Sequence, residues 1–226
     1  MSKRREIVDM VAMGGMVSMV LLAMLGGLAG CNTVSGHDIR PAGDSFFPMS
    51  VGNEWVFATY SGGHEVLRDT VRIVEVSYTG GWRYYRLQAH WPGFTGGLWV
   101  RRDQRGNMVW SSEPGGNGWT LFKFDENIGA RWETGPGLQE CVDSLAMYDN
   151  YAAVQTPYGM FDGARSFGCV PSCSDFGWGV TAARGIGPVQ WTEVTIGGGR
   201  EWLLLKADLG DDMGSPEAPP RIVDGL

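Results

Sequence analysis

Four cysteines carry the most distinctive chemistry in this sequence, and they are Cys31, Cys141, Cys169 and Cys173. A thiol can be acylated, oxidised to a disulfide or bound to zinc, and its surroundings decide which. The first cysteine ends the stretch Leu28-Ala29-Gly30-Cys31, at the close of an apolar run over residues 11–29 that has no charged residue. The basic residues Lys3, Arg4 and Arg5 precede that run. This order is typical of a secretory signal.

The stretch Leu28-Ala29-Gly30-Cys31 resembles the lipobox of bacterial lipoproteins. The resemblance implies a diacylglycerol on the Cys31 sulfur, cleavage before Cys31 and an acyl chain on the new amino group; no other cofactor is implied. Two or more acyl chains give stable anchoring to a bilayer. By resemblance to bacterial sorting signals, Asn32 rather than Asp after the cysteine favours the outer membrane. An uncleaved membrane helix, a lone thiol after an ordinary signal, and a twin-arginine route through Arg4-Arg5 stay open as alternatives.

The rest of the chain divides by composition. We predict a signal peptide over residues 1–30, a polar flexible tether over 31–45, a β domain over 46–209 and a disordered, proline-containing tail over 210–226. The first 30 residues carry three basic and two acidic side chains, so their removal changes the formal charge from −7 to −8. Because nucleic acid recognition needs a basic surface, this balance argues against a nucleic-acid partner.

Short runs rich in valine, isoleucine, threonine and aromatic residues recur through the β domain, and glycine, asparagine, aspartate and proline separate them. No apolar spacing of helical period persists. The spacing predicts strands at 54–60, 65–78, 82–90, 97–103, 107–112, 119–125, 151–156, 163–170, 178–184, 189–196 and 200–207. Because the connections are short, we expect an all-β fold, an antiparallel meander of about ten strands that forms a barrel or a two-layer sandwich.

Two details concern individual strands. Leu67, Val71 and Ile73 alternate in one phase, and the next apolar residues alternate in the other, so we predict a β-bulge near Ile73 and Val74. An aliphatic residue followed by glycine also precedes a tryptophan-bearing segment three times, at residues 51–55, 128–132 and 186–191. We interpret this phrase as a shared way of turning into a strand rather than as a duplication.

Three further stretches resemble a group of uncharacterised bacterial lipoproteins and secreted proteins. They are Phe47-Pro48-Met49-Ser50-Val51-Gly52-Asn53-Glu54-Trp55, then Thr156-Pro157-Tyr158-Gly159-Met160-Phe161, then Gly185-Ile186-Gly187-Pro188-Val189. The resemblance implies a β-rich exported domain of unknown activity. It transfers no catalytic residue.

Once Cys31 is acylated, an odd number of thiols remains. An oxidising compartment favours a structural disulfide among Cys141, Cys169 and Cys173, with the pairing left open. A zinc site from the three cysteines is possible in principle, but His37, His64 and His90 are the only histidines and an oxidising compartment counts against such a site, so we expect no metal. Residues 43–46 look like the GDSL nucleophile block, but no histidine follows His90, so we predict no catalytic residue. A pair of carboxylates suited to glycoside hydrolysis cannot be selected from the sequence.

All ten tryptophans follow the signal segment, and we expect most of them in the core. Trp91 and Phe94 flank a Pro-Gly turn and are our candidates for contact with a small apolar molecule or a carbohydrate. The sequence therefore predicts a non-catalytic binding or envelope-associated domain, held at the lipid bilayer through Cys31. A carrier of a lipid or small hydrophobic ligand in an aromatic-lined cavity is the second hypothesis, and a carbohydrate-active enzyme is the third.

Overall fold

The predicted strand-forming runs are strands in the structure, a computed structural model that describes residues 45–91, 94–135, 142–171 and 176–210. The described residues form twelve strands: β1 (Glu54–Ser61), β2 (His64–Thr79), β3 (Trp82–Trp91), β4 (Phe94–Arg102), β5 (Met108–Ser111), β6 (Trp119–Phe122), β7 (Arg131–Glu133), β8 (Val142–Gln155), β9 (Met160–Pro171), β10 (Phe176–Ala183), β11 (Gly187–Thr195) and β12 (Gly198–Asp208). Each predicted strand overlaps one of them. The sequence did not predict β7 or the first part of β8.

The strands form one antiparallel sheet in the order β6-β5-β4-β3-β2-β1-β12-β11-β10-β9-β8-β7. The first and last strands meet inside the sheet, where Glu54 of β1 pairs with Asp208 of β12. The two edges are β6 and β7, which follow one another in the chain and face one another, so the sheet curls into a nearly closed barrel. The prediction of an all-β antiparallel meander is confirmed, and the barrel replaces the two-layer alternative. Closure hides the edges that an open sheet would expose.

A meander of this kind has two ends, because each strand reverses the direction of the one before it. We call the end at which β1 starts the tether end. It holds the β2–β3, β4–β5, β6–β7, β8–β9 and β10–β11 connections, together with the end of β12. The opposite end, which we call the far end, holds the other connections. These include the β1–β2 and β11–β12 turns and the β3–β4 turn beyond Trp91.

The predicted bulge lies on β2. Ile73 pairs with Leu87 of β3 and Glu75 pairs with Arg86, so Val74 is the extra residue. Ile73 is buried in the core, as the first alternation requires. A bulge increases the local twist. Here it lets a 16-residue strand pair with β1 over its first part and with β3 over its second.

Tryptophan side chains bridge the seam between β6 and β7. The Trp132 indole N–H on β7 donates to the Leu121 carbonyl on β6 over 3.2 Å. The Trp110 indole N–H on β5 donates to the Thr134 carbonyl, just beyond β7, over 2.9 Å. These bonds satisfy edge carbonyls at a place where, among the described residues, the two strands share no backbone ladder. The seam is therefore held by side chains rather than by strand pairing.

The interior of the barrel is filled by large apolar side chains. Those with almost no exposed surface include Trp55, Trp191, Phe47, Phe57, Phe122 and Phe167. The expectation that most tryptophans lie in the core is met by Trp55, Trp110, Trp132, Trp178, Trp191 and Trp202, which are buried. None of the described residues forms a helix long and apolar enough to cross a membrane.

Candidate functional site at the tether end

A short apolar segment before β1 closes the tether end of the barrel. We call residues 45–49 the plug. Phe46, Phe47, Pro48 and Met49 are all buried, although none of them belongs to a strand. Proline at position 48 has no N–H to give to a strand ladder, which suits a segment that leaves the sheet and turns inward. The plug thus supplies apolar side chains to the core from outside the sheet.

Hydrogen bonds from three separate regions fix the plug backbone. The Gly185 N–H in the β10–β11 turn donates to the Ser45 carbonyl over 2.6 Å. The Arg102 guanidinium at the end of β4 donates to the Phe47 carbonyl over 2.9 Å. The Asn53 amide donates to the Pro48 carbonyl over 3.2 Å. Arg102 and Gly185 lie far from the plug in the sequence, so the complete set of bonds needs the folded barrel.

The plug rings continue an aromatic cluster inside the barrel. Phe46 stacks on Phe124 with ring centroids 5.2 Å apart and planes nearly parallel. Phe124 meets Phe167 edge to face at 5.4 Å, and Phe167 lies 5.1 Å from Phe122. Such pairs contribute about 0.5–1.5 kcal/mol each beyond the area that they bury. The plug is therefore held by packing as well as by its backbone bonds.

Two arginines cover the outer side of the first plug ring. The guanidinium carbons of Arg184 and Arg165 lie 4.6 Å and 5.0 Å from the Phe46 ring centroid. Both distances are within the range of a cation–π interaction. Burial, and then the charge of Arg184, lower the pKa of Arg165 below its usual value. The tether end thus has an apolar interior with cationic groups at its rim.

The buried asparagine before β1 joins the plug to the other end of the described chain. Asn53 has no exposed surface, and its side-chain oxygen accepts the Gly210 N–H over 2.9 Å. Its amide group holds Pro48. Both ends of the described chain therefore meet on one side chain at the tether end.

The residues predicted to contact a ligand lie at the far end. Trp91 and Phe94 are register partners at the close of the β3–β4 hairpin. Their side chains lie outside the described part of the structure, so their contact with a ligand stays a prediction. The plug was missed as a site, although the Phe-Pro-Met stretch of the resemblance was its signal: two aromatic residues before a proline, just ahead of a strand.

The lipidation candidate Cys31 and the disulfide candidates Cys141 and Cys173 lie outside the described residues. The remaining candidate, Cys169, is buried on β9, and the Trp178 backbone N–H donates to its sulfur over 3.0 Å. The described residues contain no disulfide, and Cys169 is a free thiol in them. The predicted disulfide therefore finds no support in the described part of the chain.

We expect the Cys169 thiol to resist iodoacetamide at pH 8 in the folded protein and to react once urea unfolds it. Burial raises the pKa of this thiol, so the reactive thiolate is disfavoured in the fold. The same shift adds stability below the unfolded pKa of about 8.5, which is lost as the pH rises from there through the higher folded pKa. Mass spectrometry of the peptide that carries Cys169 measures the labelling. Equal labelling of folded and unfolded protein, or a disulfide-linked peptide, would contradict this expectation.

One carboxylate, that of Asp69, contacts the side chain of Trp202. Asp69 of β2 accepts the Thr59 hydroxyl and the Trp202 indole N–H, each over 2.9 Å. These two hydrogen bonds hold the Asp69 carboxylate in place, so we assign it a structural role. Within the described residues, no group of three or more His, Cys, Asp or Glu side chains is placed to hold a metal ion.

No protein-family model matches the sequence. No curated protein matches it either. Among the solved structures that are similar to parts of the chain are the following three. A Bacteroides fragilis protein described as exported, with a YmcC-like fold, superposes with a TM-score of 0.46 at 13% identity, over 74% of this chain and 100% of its own.

A Parabacteroides distasonis protein described as a lipoprotein gives a TM-score of 0.44 at 14% identity, over 73% of this chain and 99% of its own. The MucA/MucB complex of Pseudomonas aeruginosa gives 0.29 at 11% identity, over 72% of this chain and 55% of the matched chain. Similarities at this level assign no family and no activity to the present chain.

Proposed function

We propose that this protein is a lipid-anchored component of the bacterial cell envelope whose β-barrel is a non-catalytic binding module. The observation that carries the proposal is the short separation in the chain between the lipobox and the plug of the barrel. Fourteen positions separate Cys31 from Ser45, where the backbone joins the β10–β11 turn through Gly185. The proposed anchor is therefore followed closely in the chain by the plug, whose Phe46, Phe47 and Met49 are buried in the core.

The chemistry of the lipobox supports the membrane side of this proposal. Cys31 has the small neighbours Ala29 and Gly30 and follows a basic start and an apolar run. A diacylglycerol and an N-acyl chain on Cys31 would supply the two or more chains that stable anchoring needs. We place the protein at the outer membrane on the strength of Asn32, and we expect the barrel to be displayed from that surface.

Substitution of Cys31 tests the anchor. We expect Cys31→Ala to move nearly all of the protein from the membrane fraction to the soluble fraction, or to leave an uncleaved precursor, because the acylated sulfur is lost. The neighbouring change Ser35→Ala should leave fractionation unchanged. Mass spectrometry of the membrane form should find acyl chains on an N-terminal Cys31. An intact Met1 terminus on that form, or a Cys31 that carries no acyl chains, would contradict the proposal.

A carrier of a lipid or small hydrophobic molecule is the second candidate. Its ligand would take the place of the plug ring of Phe46, which stacks on Phe124 in the aromatic cluster. Trp91 and Phe94 remain the contacts that we propose for an apolar or carbohydrate ligand. Saturable binding of a fluorescent fatty acid, increased by Phe46→Ala and Phe47→Ala, would favour the carrier over a barrel that binds through its outer surface.

A further inference from the structure

Several apolar side chains at the tether end are exposed rather than packed. Val51 is 50% exposed, Val74 42%, Val76 37% and Tyr78 68%. We call these four residues the apolar tip. Val51 lies beside the bulge, because the neighbouring Gly52 N–H donates to the Ile73 carbonyl over 2.8 Å, and Val76 and Tyr78 follow Val74 along β2. Exposed apolar side chains grouped at one end of a protein mark candidate contact sites.

The β2–β3 hairpin carries Val74, Val76 and Tyr78 beyond the start of β1, because β1 pairs with β2 no further than Arg72. Val76 pairs with Tyr85, and Tyr78 pairs with Arg83 near the turn. The turn itself uses Gly80 and Gly81, both with positive φ, so two long strands reverse within two residues. Because the bulge at Val74 adds one residue to β2, Val76 and Tyr78 take positions along the hairpin that odd-numbered residues would otherwise hold.

The side chains around the turn combine apolar bodies with polar ends. The Arg83 guanidinium lies 5.2 Å from the Tyr78 ring centroid, and it donates to the Tyr85 hydroxyl over 3.3 Å. On the same hairpin, Trp82 is half-buried under the Arg101 guanidinium at 4.2 Å. Tyrosine, tryptophan and arginine side chains have an apolar body and a polar end, and such side chains suit the boundary between lipid and water.

The apolar tip also lies on the side of the barrel from which the proposed anchor leaves. The β2–β3 turn and the plug are both at the tether end, and the described chain starts there at Ser45. Fourteen residues cannot span more than about 50 Å even when fully extended. An anchor on Cys31 would therefore keep the tether end within that distance of a bilayer, which raises the local concentration of lipid at the tip.

We propose that the apolar tip docks into the headgroup region of the bilayer that holds the acyl chains of Cys31. Docking orients the barrel, with the tether end on the membrane and the far end, with Trp91 and Phe94, directed away from it. The inference rests on the proposed lipid anchor. A bilayer is the occupant that the tip chemistry and the attachment point favour together.

Fluorescence quenching in vesicles tests the orientation. The acylated full chain is prepared with a fluorescent amino acid in place of Tyr78 or of Ile196, which is 80% exposed at the far end. The vesicles contain phosphatidylcholine and phosphatidylglycerol with doxyl-labelled lipids. We expect quenching at position 78 to exceed that at position 196 several-fold. Equal quenching at the two positions, or none at position 78, would overturn the docking.

A second pair of variants tests whether quenching at position 78 depends on the apolar tip or on any exposed apolar residue. Val76→Ser should reduce quenching at position 78 at least two-fold, whereas Val194→Ser, at a 62% exposed site on β11, should not. Neither site is in the core, so both variants are expected to fold.

Flotation with vesicles distinguishes failure of the docking proposal from failure of the anchor proposal. Acylated protein that floats with vesicles but shows no quenching at position 78 overturns docking alone, and a protein found covering the tip does the same. Acylated protein that fails to float overturns the anchor as well.

Discussion

Replacement of Trp55 by alanine is expected to lower the free energy of unfolding by about 3–5 kcal/mol. Trp55 has no exposed surface, and its ring lies 5.2 Å from Phe47 of the plug. Its indole N–H donates to the Ile186 carbonyl over 2.6 Å. The change would therefore leave a cavity beside the plug, and it would also leave a buried carbonyl without its donor.

The local backbone shows how closely the fold is adapted to this side chain. A Cβ at Gly187 would lie 2.9 Å from the Trp55 indole nitrogen, and Gly187 has a φ of 101° that favours glycine. The neighbouring chain therefore cannot easily move in to fill the space. We expect little relaxation around the cavity and a cost toward the upper part of that range.

Urea unfolding of the purified protein measures the effect. Trp55→Phe keeps most of the ring and should cost about 1–3 kcal/mol, largely from the unsatisfied Ile186 carbonyl. Ile196→Ala, at an 80% exposed position, should change stability by less than about 0.5 kcal/mol. If Trp55→Ala cost no more than Ile196→Ala, the described packing around the plug would be wrong.

The second large effect is expected at the seam. Trp132→Ala should also cost about 3–5 kcal/mol, because Trp132 is buried and its indole is the donor to Leu121 of β6. The ring meets Phe167 edge to face at 6.1 Å, so the change reaches the aromatic cluster. Its loss should separate β6 from β7 before the rest of the barrel unfolds.

Hydrogen exchange locates that separation. In Trp132→Ala, we expect faster exchange of amides in β6 and β7, with much smaller changes in the central pair β1 and β12. Trp132→Phe is the matched variant, since it keeps an aromatic ring against Phe167 and removes the donor. An equal acceleration in all strands of Trp132→Ala would contradict a seam that depends on this side chain.

The phrase of an aliphatic residue and glycine before a tryptophan shows what can be predicted locally. We interpret it as a common entry into a strand, and in the structure the glycine precedes β1 and β7 and is the first residue of β11. The glycines at 52, 129 and 187 have φ values of 98°, 86° and 101°. Only glycine adopts such values at little cost, so the turn is encoded in the residue itself.

Two elements escaped prediction because their formation depends on distant partners. β7 has only three residues, of which Trp132 alone is buried, so no alternation can be seen. The first part of β8 contains Asp143, Asp149 and Asn150, residue types that are uncommon in strands. Pairing with β9 along its length maintains β8 despite that composition.

The sequence by itself determined where most strands begin and end, the bulge at Val74 and the turn glycines, because each depends on a few neighbouring residues. The tertiary structure alone decided that β1 pairs with β12, that tryptophans bridge β6 and β7, and that the plug enters the tether end. Closure of a barrel depends on strand tilt and stagger summed around the whole sheet. No local pattern contains that sum, and the plug can find its donors and aromatic neighbours only after the sheet has closed.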